Sequence, residues 1–124
     1  MIPKFRCFDK DTKTMHEVVA IDFKDWRVYY EAYGLRSYWN KNVVLMQSTG
    51  LHDENDIEIF EGDIVEIIYD IEPFIGVVVY DLEETDFKAT NNHEDYGNNF
   101  QYLTVGESIE VIGNVHQHPE LLGE

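Results

Sequence analysis

Three short stretches, met in order along the chain, constrain its fold more than any other feature. They are L-M-Q-S-T-G-L-H-D from Leu45 to Asp53, I-F-E-G-D-I-V from Ile59 to Val65, and V-I-G-N-V-H-Q-H-P-E-L-L from Val111 to Leu122. They alternate apolar and polar residues, turn on glycines, and end on a proline. Period-two alternation broken every few residues by Gly, Asn or Asp is the pattern of short strands joined by tight turns. None of the three holds a nucleophile beside a base, a phosphate-binding glycine loop or a closed set of metal ligands.

The rest of the chain reads the same way. Lys4 to Asp9 is a short strand closed by the polar turn D-K-D-T-K. Met15 to Phe23 follows, with β-branched Val18, Val19 and Ile21. After a turn at Asp22–Trp26, the run W-R-V-Y-Y-E-A-Y alternates in β-forming aromatics. A helix over Trp26 to Tyr38 is the competing assignment, and Gly34 argues against continuing it. Leu35 to Asn42 reads as irregular, and Val43 to Gln47 begins a buried strand. H-D-E-N-D is a polar turn in which Asn55-Asp56 can take positive φ. Gly62-Asp63 marks a change of direction, with Asp63 expected to bond the amides that follow. Strands are then expected over Ile64–Tyr69, Ile75–Asp81, Phe87–Thr90, Phe100–Val105 and Ile109–Val115, with a long polar loop at Asn91–Asn99. Pro119 stops the pairing, and Glu120–Leu122 is expected to fold back as a helical turn.

Five short strands after Gly62 cannot hide both faces as an open sheet, so closure is expected. The expected fold class is mainly β: an irregular antiparallel N-terminal β part (residues 1–50) packed on a small five-stranded SH3-like β-barrel (residues 51–124). A five-strand open meander is the alternative. With 124 residues and seventeen Phe, Trp and Tyr side chains, the chain is long enough to build such a core.

Charge divides the chain near Lys41. Residues 1–42 carry eight of the nine Lys and Arg and six acids, whereas residues 43–124 carry nineteen acids and one base, Lys88. The second part therefore repels phosphate backbones and anionic lipid, and no direct nucleic-acid or membrane binding is expected. The single cysteine, Cys7, excludes an intrachain disulfide and fits a reducing compartment. The N-terminal residues M-I-P-K-F-R-C-F lack the apolar run of a signal peptide, and the longest strongly apolar stretch, Phe74–Tyr80, is too short to span a bilayer. A cytoplasmic location is the resulting expectation.

Arg6, Phe8 and Asp9 near the start, Leu45–Asp53, Ile59–Val65 and Ile112–Leu122 together resemble the hallmarks of the YopX proteins, a family of phages and prophages of Gram-positive bacteria. The resemblance spans nearly the whole chain. Departures are Cys7-Phe8 for a common Ala-Trp, Ser48 for an aromatic, Asn55-Asp56 for Asn-Gly, and His116 and His118 where Tyr and Asn are frequent. The resemblance implies an N-terminal part of unusual topology before a small β-barrel. It implies no biochemical activity and carries over no catalytic residues.

Candidate sites are few. His116 and His118, two apart, would face one side of a strand and could share a zinc or nickel ion, but they stand where pairing ends. His16, His52 and His93 are distant from them in sequence. Asp53, Asn55 and Glu58 suggest a calcium loop, yet Glu58 and Ile64 stand where that loop needs Gly and a bidentate Glu. Glu61 and Asp63 flank Gly62 as a turn rather than as an acid–base pair across a cleft. Met46, Gln47, Thr49 and Gly50 read as strand-end satisfaction, with a contact surface as the rival reading. The aromatics Trp26, Tyr29, Tyr30, Tyr33, Tyr38 and Trp39 lie among Arg27, Arg36 and Lys41. They read as core plus oligomer interface rather than as a base-stacking platform; Trp26, Val28 and Tyr30 share the face assigned to the core.

No catalytic, cofactor-binding or metal-binding residue is assigned, and no cofactor. The expected role is that of a phage or prophage accessory protein of unknown biochemical function, non-catalytic, acting by binding or self-assembly as a homo-oligomer. A basic host protein is the other candidate partner. The alternative role is that of an acidic DNA mimic inhibiting a host DNA-binding protein or nuclease.

Overall fold

Several of the alternating runs are closed by an Asp or Asn whose side chain satisfies the backbone where pairing stops. The computed structural model describes residues 3–31, 35–39, 42–91, 99–104 and 106–123, with 35–39 described by backbone alone. Its strands are β1 (Phe5–Asp9), β2 (Thr14–Asp22), β3 (Arg27–Glu31), β4 (Leu35–Trp39), β5 (Val43–His52), β6 (Glu58–Phe60), β7 (Asp63–Tyr69), β8 (Glu72–Asp81), β9 (Asp86–Thr90), β10 (Phe100–Tyr102) and β11 (Ser108–Asn114). A 3-10 turn at Pro119–Leu122 ends the chain. The fold is mainly β, in two antiparallel sheets. Tyr33, Gly34, Lys41, His93 and most of the Asn91–Asn99 loop lie outside the described residues, as do the side chains of Arg36, Tyr38 and Trp39.

One hairpin design recurs. Asp9 pairs with Thr14, Asp22 with Arg27 and Asp81 with Asp86, each across a four-residue loop. In every case the Asp Oδ1 accepts the amides two and three residues on: Asp11 and Thr12, Lys24 and Asp25, Glu83 and Glu84. The fourth loop residue then takes a positive φ: Lys13 at 59°, Trp26 at 58° and Thr85 at 51°. The carboxylate holds two amides that the sheet leaves unpaired, and the left-handed residue turns the chain back into register. Trp26 is thereby removed from the strand alternation and is 61% exposed, while Val28 and Tyr30 point into the core. Its expected place on the core face is corrected on that ground.

The first compact unit is Met1–Ser48 and the second Thr49–Glu124. In the first, strands run in the order β4-β3-β2-β1-β5. Cys7, Val28, Tyr30 and Val43 form its core, with Val18 and Leu45 packed against them. Leu35–Trp39, read from sequence as irregular, pairs with β3 from Arg27↔Trp39 to Glu31↔Leu35. Five residues are too few for alternation to declare itself, and the partner strand supplies the order.

In the second unit β7 to β10 follow one another, and β11 returns to pair with β7, giving the order β10-β9-β8-β7-β11. The strand count matches expectation, but the sheet is not closed into a barrel, nor is it a simple meander. β10 pairs over only three residues, Phe100–Tyr102, leaving little edge with which to close. Burial is achieved by cover instead: Ile59 from β6 and Leu103 after β10 join Val65, Ile67, Val78 and Ala89 in one core. Fully burying aliphatic side chains of this size contributes roughly 1.5–3 kcal/mol each.

Asp9 is fully buried, and its Oδ2 accepts the Tyr30 hydroxyl at 2.6 Å. The Tyr30 ring stacks on His16 with centroids 3.9 Å apart. Replacing Tyr30 with Phe keeps the ring and removes a donor to a buried carboxylate. Tyr30→Phe is expected to lower stability by about 1–3 kcal/mol in urea titrations, and an unchanged midpoint would contradict this account.

Candidate functional site

The family-like stretches turn out to be turn chemistry. Thr49 Oγ1 donates to the Ile59 carbonyl at 2.8 Å and accepts the Leu51 amide at 3.1 Å. β5 runs on through Gly50, whose φ of 80° takes the bend without strain. Asp53 Oδ1 accepts the Asn55 and Ile57 amides, and its Oδ2 accepts the Val111 amide at 2.9 Å, fifty-eight residues away. One carboxylate thus shapes the turn before β6 and ties it to β11. Asp56 takes the positive φ, 63°. Asp63 Oδ2 accepts the Phe60 amide at 2.8 Å, a bond that runs backward along the chain. Asn114 Oδ1 accepts the His116 and Gln117 amides.

The paired histidines do not share a strand face, because β11 ends at Asn114. His118 Nδ1 instead accepts the Asn114 amide at 3.2 Å. A Cβ on Gly113 would stand 2.9 Å from that nitrogen and 2.7 Å from Leu121 Cδ1. Gly113 therefore makes room for the turn that folds back over it. Among the described residues, no group of three or more His, Cys, Asp or Glu is placed to hold a metal ion.

A cleft of about 370 Å³ opens in the second unit. Leu51, Ile59, Leu103 and Ile109 give it apolar walls, and His52, Asp53, Glu54 and Glu107 give it acidic or titratable ones. Burial would raise the Asp53 carboxyl, but amides from Val111, Ile57 and Asn55, with nearby His52, outweigh it and hold the pKa below the usual carboxylate range. Both Asp53 oxygens are occupied by backbone donors, so this carboxylate is poorly placed to act as a base. In the first unit the same logic holds at Asp9. Burial raises it, while the Tyr30 hydroxyl and the Thr12 and Asp11 amides lower it further. Burial and the neighbouring Asp9 push the Cys7 thiol up to about 11, which keeps it protonated and unreactive near neutrality.

Lys88, the only Lys or Arg of the second unit, is 2% exposed. Its Nζ donates to Asp81 Oδ2 at 2.7 Å and pairs with Glu84. It lies 4.0 Å from the centroid of the Phe100 ring and 5.4 Å from that of Tyr102. The Tyr102 hydroxyl donates to Glu84 in turn. Bonds to Asp81 and Glu84 raise the Lys88 pKa, and the Lys88 bond lowers theirs. The one cation is thus consumed internally, joining β9 to the Asp81–Asp86 turn and to β10.

A family model described as YopX protein matches residues 4–123. The chain belongs to the YopX family. It is similar to protein EF1440 from Enterococcus faecalis, whose crystal structure is 25% identical with a TM-score of 0.61, over 98% of this chain and 99% of that one. The X-ray structure of yopX from Bacillus subtilis, 24% identical, shares the fold with a TM-score of 0.62 over 95% of this chain and 96% of that one. No curated protein matches the chain. Within this YopX chain, the stretches that carry the family resemblance include residues that cap turns and join strands: Asp9, Thr49, Asp53 and Asn114. Sequence reading missed Lys88 as an organising residue. Its isolation among nineteen acids was the available signal.

Asp53→Asn keeps one acceptor but sets an N–H against the Val111 N–H. A loss of about 1–3 kcal/mol is expected at pH 7. Because the folded pKa is depressed, the wild-type advantage is full above the ordinary carboxylate range and fades as pH falls through the lowered value. Urea midpoints at pH 7 and pH 3 test this, and a gap that does not narrow in acid contradicts it. Lys88→Met strands Asp81 and Glu84 and is expected to lower the pH 7 midpoint.

Proposed function

We propose that this YopX protein is a non-catalytic phage or prophage accessory protein that acts by binding, its acidic second unit engaging a basic surface on a host protein. The observation that carries this reading is the fate of Lys88. With that side chain buried and paired, the second unit offers solvent no lysine or arginine against its nineteen acids. A field of one sign steers and selects cationic partners. The occupied oxygens of Asp53 and the raised thiol of Cys7 support a binding role over a chemical one.

DNA mimicry is a narrower form of the same reading, and it needs carboxylates in rows at phosphate-like spacing. Asp53, Asp63 and Asp81 are withdrawn from such rows, being buried at turns. Self-association is the other form of a binding role. The strongly acidic unit disfavours like-on-like contact, so any homo-oligomer would use other surfaces.

Affinity capture on the immobilised full chain from host cells, with solution mass measured in parallel, tests the proposal. A basic host protein released near ~0.5 M salt, where the screening length falls to about 4 Å, is the expected outcome. Retention indifferent to salt, or turnover of a nucleotide or sugar by the purified chain, would overturn it.

A further inference from the structure

Five hairpin turns lie wholly within the described residues, and four are closed by an aspartate accepting backbone amides: Asp9, Asp22, Asp53 and Asp81. The fifth joins β7 to β8, where Tyr69 pairs with Glu72 across only Asp70 and Ile71. Both loop residues have positive φ, 52° and 63°. A two-residue turn with two positive φ values favours Asn-Gly, because Gly pays no steric penalty there and Asn little. Ile is among the residues least suited to it, being β-branched. Here Ile71 is also 86% exposed, beside Tyr69 at 52%. Neither local conformation nor burial within the fold accounts for an isoleucine at this tip.

We propose that the Tyr69–Glu72 tip is a docking element that seats Ile71 in an apolar pocket on a partner protein rimmed by lysine or arginine. Asp70 and Glu72 flank the apolar side chain, and the unit around them presents no exposed lysine or arginine of its own. An apolar anchor flanked by two acids matches the division of labour at protein interfaces, where a buried anchor supplies affinity and the charged rim supplies selection. The tip does not fit the cleft of a second copy, since Asp53, Glu54 and Glu107 line that cleft and would set acid against Asp70 and Glu72. Conformational strain at an exposed tip is the sort retained where contact with another molecule offsets it. This inference rests on the binding role proposed above and names the element that carries it.

The test uses the full chain. Ile71→benzoylphenylalanine, produced in Gram-positive host cells and irradiated, is expected to crosslink a basic protein that the same probe at Glu83, in the exposed loop after Asp81, does not. The crosslinked protein is then purified and titrated against wild type, Ile71→Gly and Ile71→Leu. Ile71→Gly should melt at a higher temperature than wild type, because the strain is gone, yet bind at least tenfold more weakly; Ile71→Leu should bind within a few-fold of wild type. Absence of a position-specific adduct, or equal affinity of Ile71→Gly and wild type, overturns the docking element. If binding then remains salt-sensitive, the acidic binding role stands without it. Binding that ignores salt removes that role as well.

Discussion

The structure depends on carboxylate-to-amide hydrogen bonds at strand ends. A protein built of short strands has many places where backbone donors leave the ladder, and each buried donor left unmet costs about 1–3 kcal/mol. Here the donors are met by a side chain at the last strand position or just beyond it: Asp9, Asp22, Asp53, Asp81 and Asn114. An ionised carboxylate suits the task because it accepts several bonds at once and holds them more strongly than a neutral acceptor. Asp53 extends the principle from a local turn to tertiary structure, since its second oxygen fixes β11.

The same residues explain how a chain of net charge −16 tolerates its acidity. Several acids are internal and structural, each surrounded by N–H or O–H donors that favour the ionised form. Lys88 neutralises a further pair from inside, under two aromatic rings. What remains outside on the second unit is negative without exception among its ionised Lys, Arg, Asp and Glu side chains. Folding therefore sharpens the charge asymmetry already present along the sequence.

Much of the β architecture was legible. Strand spans after Gly62 agree with expectation to within about three residues at nearly every end, because alternation and turn residues both report on local backbone geometry. The recurrent loops D-K-D-T-K-T, D-F-K-D-W-R and D-L-E-E-T-D were visible as polar clusters, though not as one repeated turn. Trp26 was misassigned because alternation was extended one residue past the strand into a left-handed position. β4 was missed because its order comes from pairing with β3. The expected barrel failed for a non-local reason: whether β10 meets β11 depends on strand reach and on what covers the apolar face.

By itself, the sequence determined the period-two pattern, the turn positions, the family and the segregation of charge, all of which are carried by neighbouring residues. Only the tertiary structure decided that Asp53 reaches Val111, that Lys88 turns inward, that Ile59 and Leu103 complete the second core, and that Ile71 is left in water. Those outcomes depend on which distant segments come within a few ångströms of one another. Hydrogen bonds and burial act over that distance in space, and sequence spacing does not encode it.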